Sequence, residues 1–168
     1  MKSFLEVTKP KTDPGLYVCA KFCQASNEAL KKVQDTLGMT NPVVASKLHT
    51  TIVYSRKTID LPPVINLNES ARLVDFEKWD TKYGSTVVGI LESDYLHERF
   101  KEAMANGATY DYDDYKPHVT LSYDSGISVL DMKGKLTLPI ELNIVEEHFE
   151  SLDLDKKLED ITEHCSSW

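Results

Sequence analysis

Basic residues are scarce in this chain: lysine and arginine number 19 against 27 aspartates and glutamates, a formal net charge of −8 over 168 residues. That balance excludes a general coat for long nucleic acid and a protein held on a membrane surface, since both need a basic footprint. A small anionic ligand stays open, because a few local cations suffice to bind it. Long apolar runs are absent too, so no segment reads as a transmembrane helix, and the start of the chain shows no apolar signal region. Cysteine is sparse: Cys19, Cys23 and Cys165 are odd in number and lack zinc-ligand spacing. These absences lead us to expect a reduced, cytoplasmic protein with no disulfide framework, metal or cofactor. The length suits one domain spanning residues 1–168, large enough to bury a core without such staples.

What is present is a repeat. Leu48-His49-Thr50-Thr51-Ile52-Val53-Tyr54 and Pro117-His118-Val119-Thr120-Leu121-Ser122-Tyr123 both read His-x-Thr, then Ile or Leu, then x-Tyr. Both segments are rich in β-formers, and on a strand residues i and i+2 share a face. Each copy therefore presents one imidazole and one hydroxyl side by side. Strict alternation turns Ile52, Tyr54, Leu121 and Tyr123 toward the core.

The surroundings repeat as well. Leu16 to Phe22 alternates as a half-buried strand, and Ser26 or Asn27 can cap a helix that buries Ala29, Leu30, Val33 and Leu37 and stops at Gly38. In the second half Thr86, Val88 and Ile90 mark a strand. Ser93 or Asp94 caps a helix burying Leu96, Phe100, Ala103 and Met104, which ends at Asn106-Gly107. Each unit is strand, helix, motif strand. Between them Leu61-Pro62-Pro63 breaks the chain and Ala71 to Trp79 reads as a strand; later, Leu136 to Ile140 and Asn143 to Phe149 are two more. About residues 1–15 form an irregular lead-in and about 151–168 a charged tail.

A single His-x-Thr is most simply the polar face of a strand. Two in matching contexts point to catalysis, because one imidazole can take a proton while the other, protonated, gives one to a leaving group. The hydroxyls can steady a non-bridging phosphate oxygen as charge builds on it. Such a set suits a phosphodiester attacked by a ribose 2′-hydroxyl, and it lacks the third ligand that a metal site would need.

On these motifs the chain resembles the 2H phosphoesterase superfamily, whose signature is two His-x-Thr/Ser motifs on symmetry-related lobes. Within it the chain looks like the phage anti-CBASS nucleases, which destroy the cyclic nucleotides that trigger bacterial CBASS immunity. The resemblance runs from about Leu16 to Phe149. It implies an α+β fold of two pseudo-symmetric lobes of antiparallel sheet, with outer helices, around a V-shaped cleft. It implies catalytic roles for His49, Thr51, His118 and Thr120, base-stacking roles for Tyr17 and Trp79, and a purine contact for Glu146. Tyr17 and Lys21 share the polar side of their strand, and Trp79 ends a strand in a polar run, so the residues themselves agree with a cleft position.

Lys21, Lys47, Lys82 and Lys116 are candidate local cations. His97, His148 and His164 read as surface residues, and the acidic, aromatic stretch Tyr110 to Tyr115 as a solvated loop or a rim over the ligand. The expected activity is metal-independent hydrolysis of 3′–5′ bonds in cyclic di- and trinucleotides, in the cytoplasm of an infected bacterium. The rivals are a 2H enzyme acting on RNA ends or 2′,5′-oligoadenylates, and a sponge that binds a cyclic nucleotide without cutting it. Which histidine is base and which is acid is left open by the sequence.

Overall fold

Alternating side chains at residues 16 to 22 make the first strand, and the computed structural model, which describes residues 13–81, 84–123 and 134–152, places it near the centre of the molecule. The elements in chain order are β1 (Leu16–Phe22), α1 (Gln24–Thr36), a 3₁₀ turn (Ala45–Lys47), β2 (His49–Ser55), β3 (Glu69–Thr81), β4 (Gly84–Glu92), α2 (Asp94–Ala105), β5 (His118–Tyr123) and β6 (Ile140–Glu150). The six strands form one antiparallel sheet in the order β2-β1-β6-β3-β4-β5. The two expected lobes are its halves, β2-β1-β6 and β3-β4-β5, joined where the start of β6 pairs with the start of β3. The two edge strands, β2 and β5, also come together.

The halves repeat residue by residue. Reading across the first, Glu146, Lys21 and His49 stand in one row, His148, Cys19 and Thr51 in the next, and Glu150, Tyr17 and Tyr54 in the third. Across the second, the matching rows are Asp75, Ile90 and His118, then Glu77, Val88 and Thr120, then Trp79, Thr86 and Tyr123. Even the irregularities match: a β-bulge follows each His-x-Thr, at Ile52 and at Leu121, and one precedes each outer row, at Val145 and at Val74. An extra residue in one strand resets which face its neighbours occupy. Tyr54, expected in the core, is therefore turned onto the same face as His49 and Thr51, while Ile52 is buried as expected. Tyr123 is half-buried against the main core.

Helix phase and caps hold with adjustments. Leu30, Val33 and Leu37 are buried, and Gly38 ends α1 with φ 63°, a left-handed turn that glycine adopts without strain. The cap lies three residues before Ser26, the first of the expected pair: the Cys23 sulfur accepts from the Ser26 amide, and Ser26 turns inward to accept from the Asn143 amide. In α2, Ser93 caps as expected by accepting from the Leu96 amide. Met104 is exposed, however, and Arg99 takes its place in the interior. Arg99 reaches both carboxylate oxygens of Glu147 on β6 at 2.8 Å, with Pro62 and Glu102 filling its other donors and the Tyr95 hydroxyl completing the acid's shell. Their side chains are 3% and 1% exposed, so a fully satisfied ion pair, not an apolar contact, ties α2 to β6. The strand expected at 143–149 is β6, whereas the one expected at 136–140 is not formed apart from Ile140: β6 starts after Pro139, and proline cannot donate to a ladder. Most of the lead-in, Lys82, Cys165, His164 and nearly all of the tail lie outside the described residues.

Candidate active site

Each motif histidine is fixed in the same way. His49 Nδ1 lies 2.7 Å from the Lys47 carbonyl, and His118 Nδ1 lies 2.9 Å from the Lys116 carbonyl. A carbonyl only accepts, so in both rings Nδ1 carries the proton it donates, and Nε2 is the working nitrogen. There the likeness ends. His49 is 2% exposed, and its Nε2 has no hydrogen-bond partner among the described residues. Burial, reinforced by the positive charges of Lys21, His118 and His148, lowers its pKa to about 4 against the opposing pull of the Lys47 carbonyl. His49 is thus a neutral imidazole with a buried, unpartnered lone pair at neutral pH. His118 is only half-buried and borders the cleft, with the Trp79 indole against its ring at a centroid distance of 4.3 Å.

The cleft has a volume of about 400 Å³. Thr51, His118, Tyr17 and Trp79, four of the seven residues singled out in the sequence, line it. His49 and Thr120 stand in the same sheet rows but are almost wholly buried behind the lining, and Glu146 is exposed, in the row of His49 and Lys21 but off the cleft wall. Tyr17 reaches the cleft through a sliver of its ring, being 1% exposed, and its hydroxyl lies 2.8 Å from that of Thr51.

The 110–115 loop, read from the sequence as a solvated loop or a rim, borders the cleft. Tyr110, Asp111, Tyr112, Asp114 and Tyr115 all line the cleft. Tyr115 anchors the loop: its hydroxyl donates to the Thr51 carbonyl at 2.8 Å and its ring stacks on Phe100. A two-bond Arg56 to Asp111 pair holds the far side. Tyr112, 70% exposed, offers the most open ring. Lys116 reaches the cleft but is paired with Glu77, while Lys21 faces His49 across the sheet. His148 is exposed, as expected, yet shares a row with Thr51, and this could be found only from the strand register. Among the described residues no group of three or more His, Cys, Asp or Glu is placed to hold a metal ion.

The family model for anti-CBASS protein Acb1 matches residues 14–159. The chain belongs to the Acb1 family of anti-CBASS proteins. It is 67% identical over 165 residues to the Acb1 of Escherichia phage RB16, covering 98% of this chain and 95% of that one. It is 43% identical over 141 residues to the Acb1 of Enterobacteria phage T4, covering 84% and 90%. Among solved structures it resembles E. coli LigT complexed with phosphate, at a TM-score of 0.53 and 15% identity over 82% of this chain and 86% of LigT, a likeness of fold. Acb1 membership and the LigT-like fold, with the paired His-x-Thr strands, make the chain an anti-CBASS phosphodiesterase of the 2H type. No helix among the described residues is long and apolar enough to cross a membrane.

Proposed function

We propose that this Acb1 protein cuts 3′–5′ bonds of cyclic di- and trinucleotides, such as 3′,3′-cyclic GMP-AMP, inside the infected bacterial cell. The observation that carries the reading is the contrast between the two imidazoles. His49, neutral with an unpartnered Nε2 behind the cleft lining, is the base, and His118, open to the cleft, enters protonated as the acid. His49 Nε2 takes the proton of the ribose 2′-hydroxyl, and the 2′-oxygen attacks phosphorus. The bond to the 5′-oxygen breaks as His118 Nε2 delivers its proton there, giving a 2′,3′-cyclic phosphate and an opened ring. In the second step His118 takes a proton from water, the water oxygen attacks phosphorus, and His49 returns its proton to the departing 2′-oxygen, leaving a 3′-phosphate. Thr51 and Thr120 donate to non-bridging oxygens. Trp79, with Tyr17 at the cleft floor, supplies base contacts, and Glu146 reads a purine edge from the rim. Two proton carriers complete this chemistry without a Lewis acid.

Incubation with cyclic GMP-AMP in EDTA, followed by separation of products, tests the reading. The expected result is a linear product ending in a 3′-phosphate. A sponge would return the ring intact, and an enzyme confined to RNA ends would cut a 2′,3′-cyclic-ended oligonucleotide but not the ring.

A further inference from the structure

His118 lacks the burial that helps to immobilise His49, and two of its contacts bear on how its ring is oriented. One is the Lys116 carbonyl on Nδ1, the other the Trp79 indole against the imidazole face. Each comes from a residue with freedom of its own, since Lys116 is exposed and Trp79 is only partly buried near the end of β3. A single carboxylate joins them. Glu77 Oε1 accepts from the Trp79 indole Nε1 at 2.8 Å, and Glu77 Oε2 takes the Lys116 ammonium. These two donors, Lys116 first, hold the Glu77 carboxyl below the usual carboxylate range, so it stays charged at neutral pH. Glu77 itself sits in the row of Val88 and Thr120, next to the row of His118, and points to the same face.

From this geometry we infer that Glu77 is a positioning residue for His118, acting through Trp79 and Lys116. The inference rests on the reading of His118 as the proton donor to the leaving oxygen. With Glu77 in place, the indole plane and the 116 carbonyl together fix the imidazole so that Nε2 faces the cleft. Without it the indole loses its anchor, the Lys116 side chain loses its tie, and the ring samples orientations in which Nε2 cannot reach the leaving oxygen. Proton transfer is sensitive to such misplacement, because the catalytic group must be held within hydrogen-bond reach. The first half of the sheet has no such device. His148 stands where Glu77 does and bonds Glu150, which stands where Trp79 does, at 2.9 Å. His49 is held by burial together with the Lys47 carbonyl on its Nδ1.

A double-mutant cycle with cyclic GMP-AMP as substrate separates this role from a merely structural one. In the wild-type background Glu77→Ala lowers kcat about tenfold, the order expected for residues coupled in one network. Glu77→Gln keeps an oxygen for the indole N–H and loses only the ion pair, so it lowers kcat about threefold. In a His118→Ala background, assayed at higher enzyme concentration, neither change costs more than about twofold, because the group they position is gone. The indole N–H resonance of Trp79, assigned by its loss in Trp79→Phe, shifts strongly in Glu77→Ala and less in Glu77→Gln. If Glu77→Ala fails to fold, the Glu77→Gln arm decides the matter alone. The inference is overturned if either Glu77 variant keeps wild-type kcat, or if its loss is equally large beside His118→Ala. A fully active His118→Ala, or a wild-type protein that leaves the ring uncut, overturns the catalytic reading itself and not only the role of Glu77.

Discussion

The phenolic oxygen of Tyr17 lies 2.8 Å from the hydroxyl oxygen of Thr51, across the β1–β2 pair. Tyr17 is almost wholly buried, so it meets the cleft less as a broad stacking platform than as the residue that sets the Thr51 hydroxyl. Tyr17→Phe preserves the ring and removes this contact. It should lower kcat/KM about fivefold, as for one hydrogen bond worth about 1 kcal/mol, with thermal stability reduced by a similar free energy. Indistinguishable kinetics of the two proteins would restore a purely stacking role.

Because His49 titrates at about 4 in the folded protein, it remains a base at pH values where a free imidazole is already charged. The acidic limb of kcat/KM should therefore lie well below 6.5; the limbs report apparent values of the coupled histidine pair. A limb centred near 6.5 in a steady-state pH series would remove His49 from the role of base.

The same burial couples pH to folding. The pKa of His49 is lower in the folded chain than in the unfolded one, so the unfolded chain binds the proton first as pH falls. The stability that the buried neutral ring retains is complete above about 6.5, drains between there and about 4, and is constant below. The loss is about 3 kcal/mol over that window. Urea unfolding at pH 7 and pH 4.5 should show a steeper decline for the wild type than for His49→Gln, and parallel declines would contradict the assignment.

The repeated His-x-Thr segments and the strand-helix-strand units around them were legible because they are local patterns, readable from alternation and helical spacing. Tyr54 was misplaced because the bulge at Ile52 depends on pairing with β1, and nothing in the residues of β2 announces an extra residue. The burial of Arg99 does not show in the residues of α2, since it depends on Glu147 in a strand 48 positions away. Glu77 and Lys116 were equally hidden: their pairing spans β3 and the segment before β5, and each alone looks like an ordinary solvated charge. These features have one physical cause, cross-strand register, which a single chain of letters does not display.

The buried Arg99 to Glu147 pair predicts an asymmetric pattern of stability. Arg99→Ala leaves a carboxylate 1% exposed with its main partner gone, at a cost of about 3–5 kcal/mol. Arg99→Met combined with Glu147→Leu removes both charges together and should recover most of that loss, because neither desolvated charge remains unpaired. Thermal or urea unfolding of the single and double variants measures this directly. A double variant as unstable as the single one would mean that the pair's hydrogen bonds to Pro62, Glu102 and Tyr95 matter more than its charge.

The last prediction concerns the nucleophile. The Nε2 lone pair of His49 has no hydrogen-bond partner among the described residues, an arrangement that can move a neighbouring hydroxyl proton but does little to generate hydroxide from bulk water. A cyclic dinucleotide with hydrogen in place of the 2′-hydroxyl next to the scissile phosphate should bind nearly as well as the ribose form, because its bases and phosphates are unchanged. It should not be cut at that phosphate. A correctly placed neighbouring hydroxyl acts at effective molarities of about 10⁵ M or more, an advantage lost with the oxygen. Titration of a His49→Ala variant with both ligands measures the binding, and wild-type turnover measures the cleavage. Hydrolysis of the deoxy ring within about tenfold of the ribose ring would make water the direct nucleophile, and the 2′,3′-cyclic phosphate would then not lie on the path.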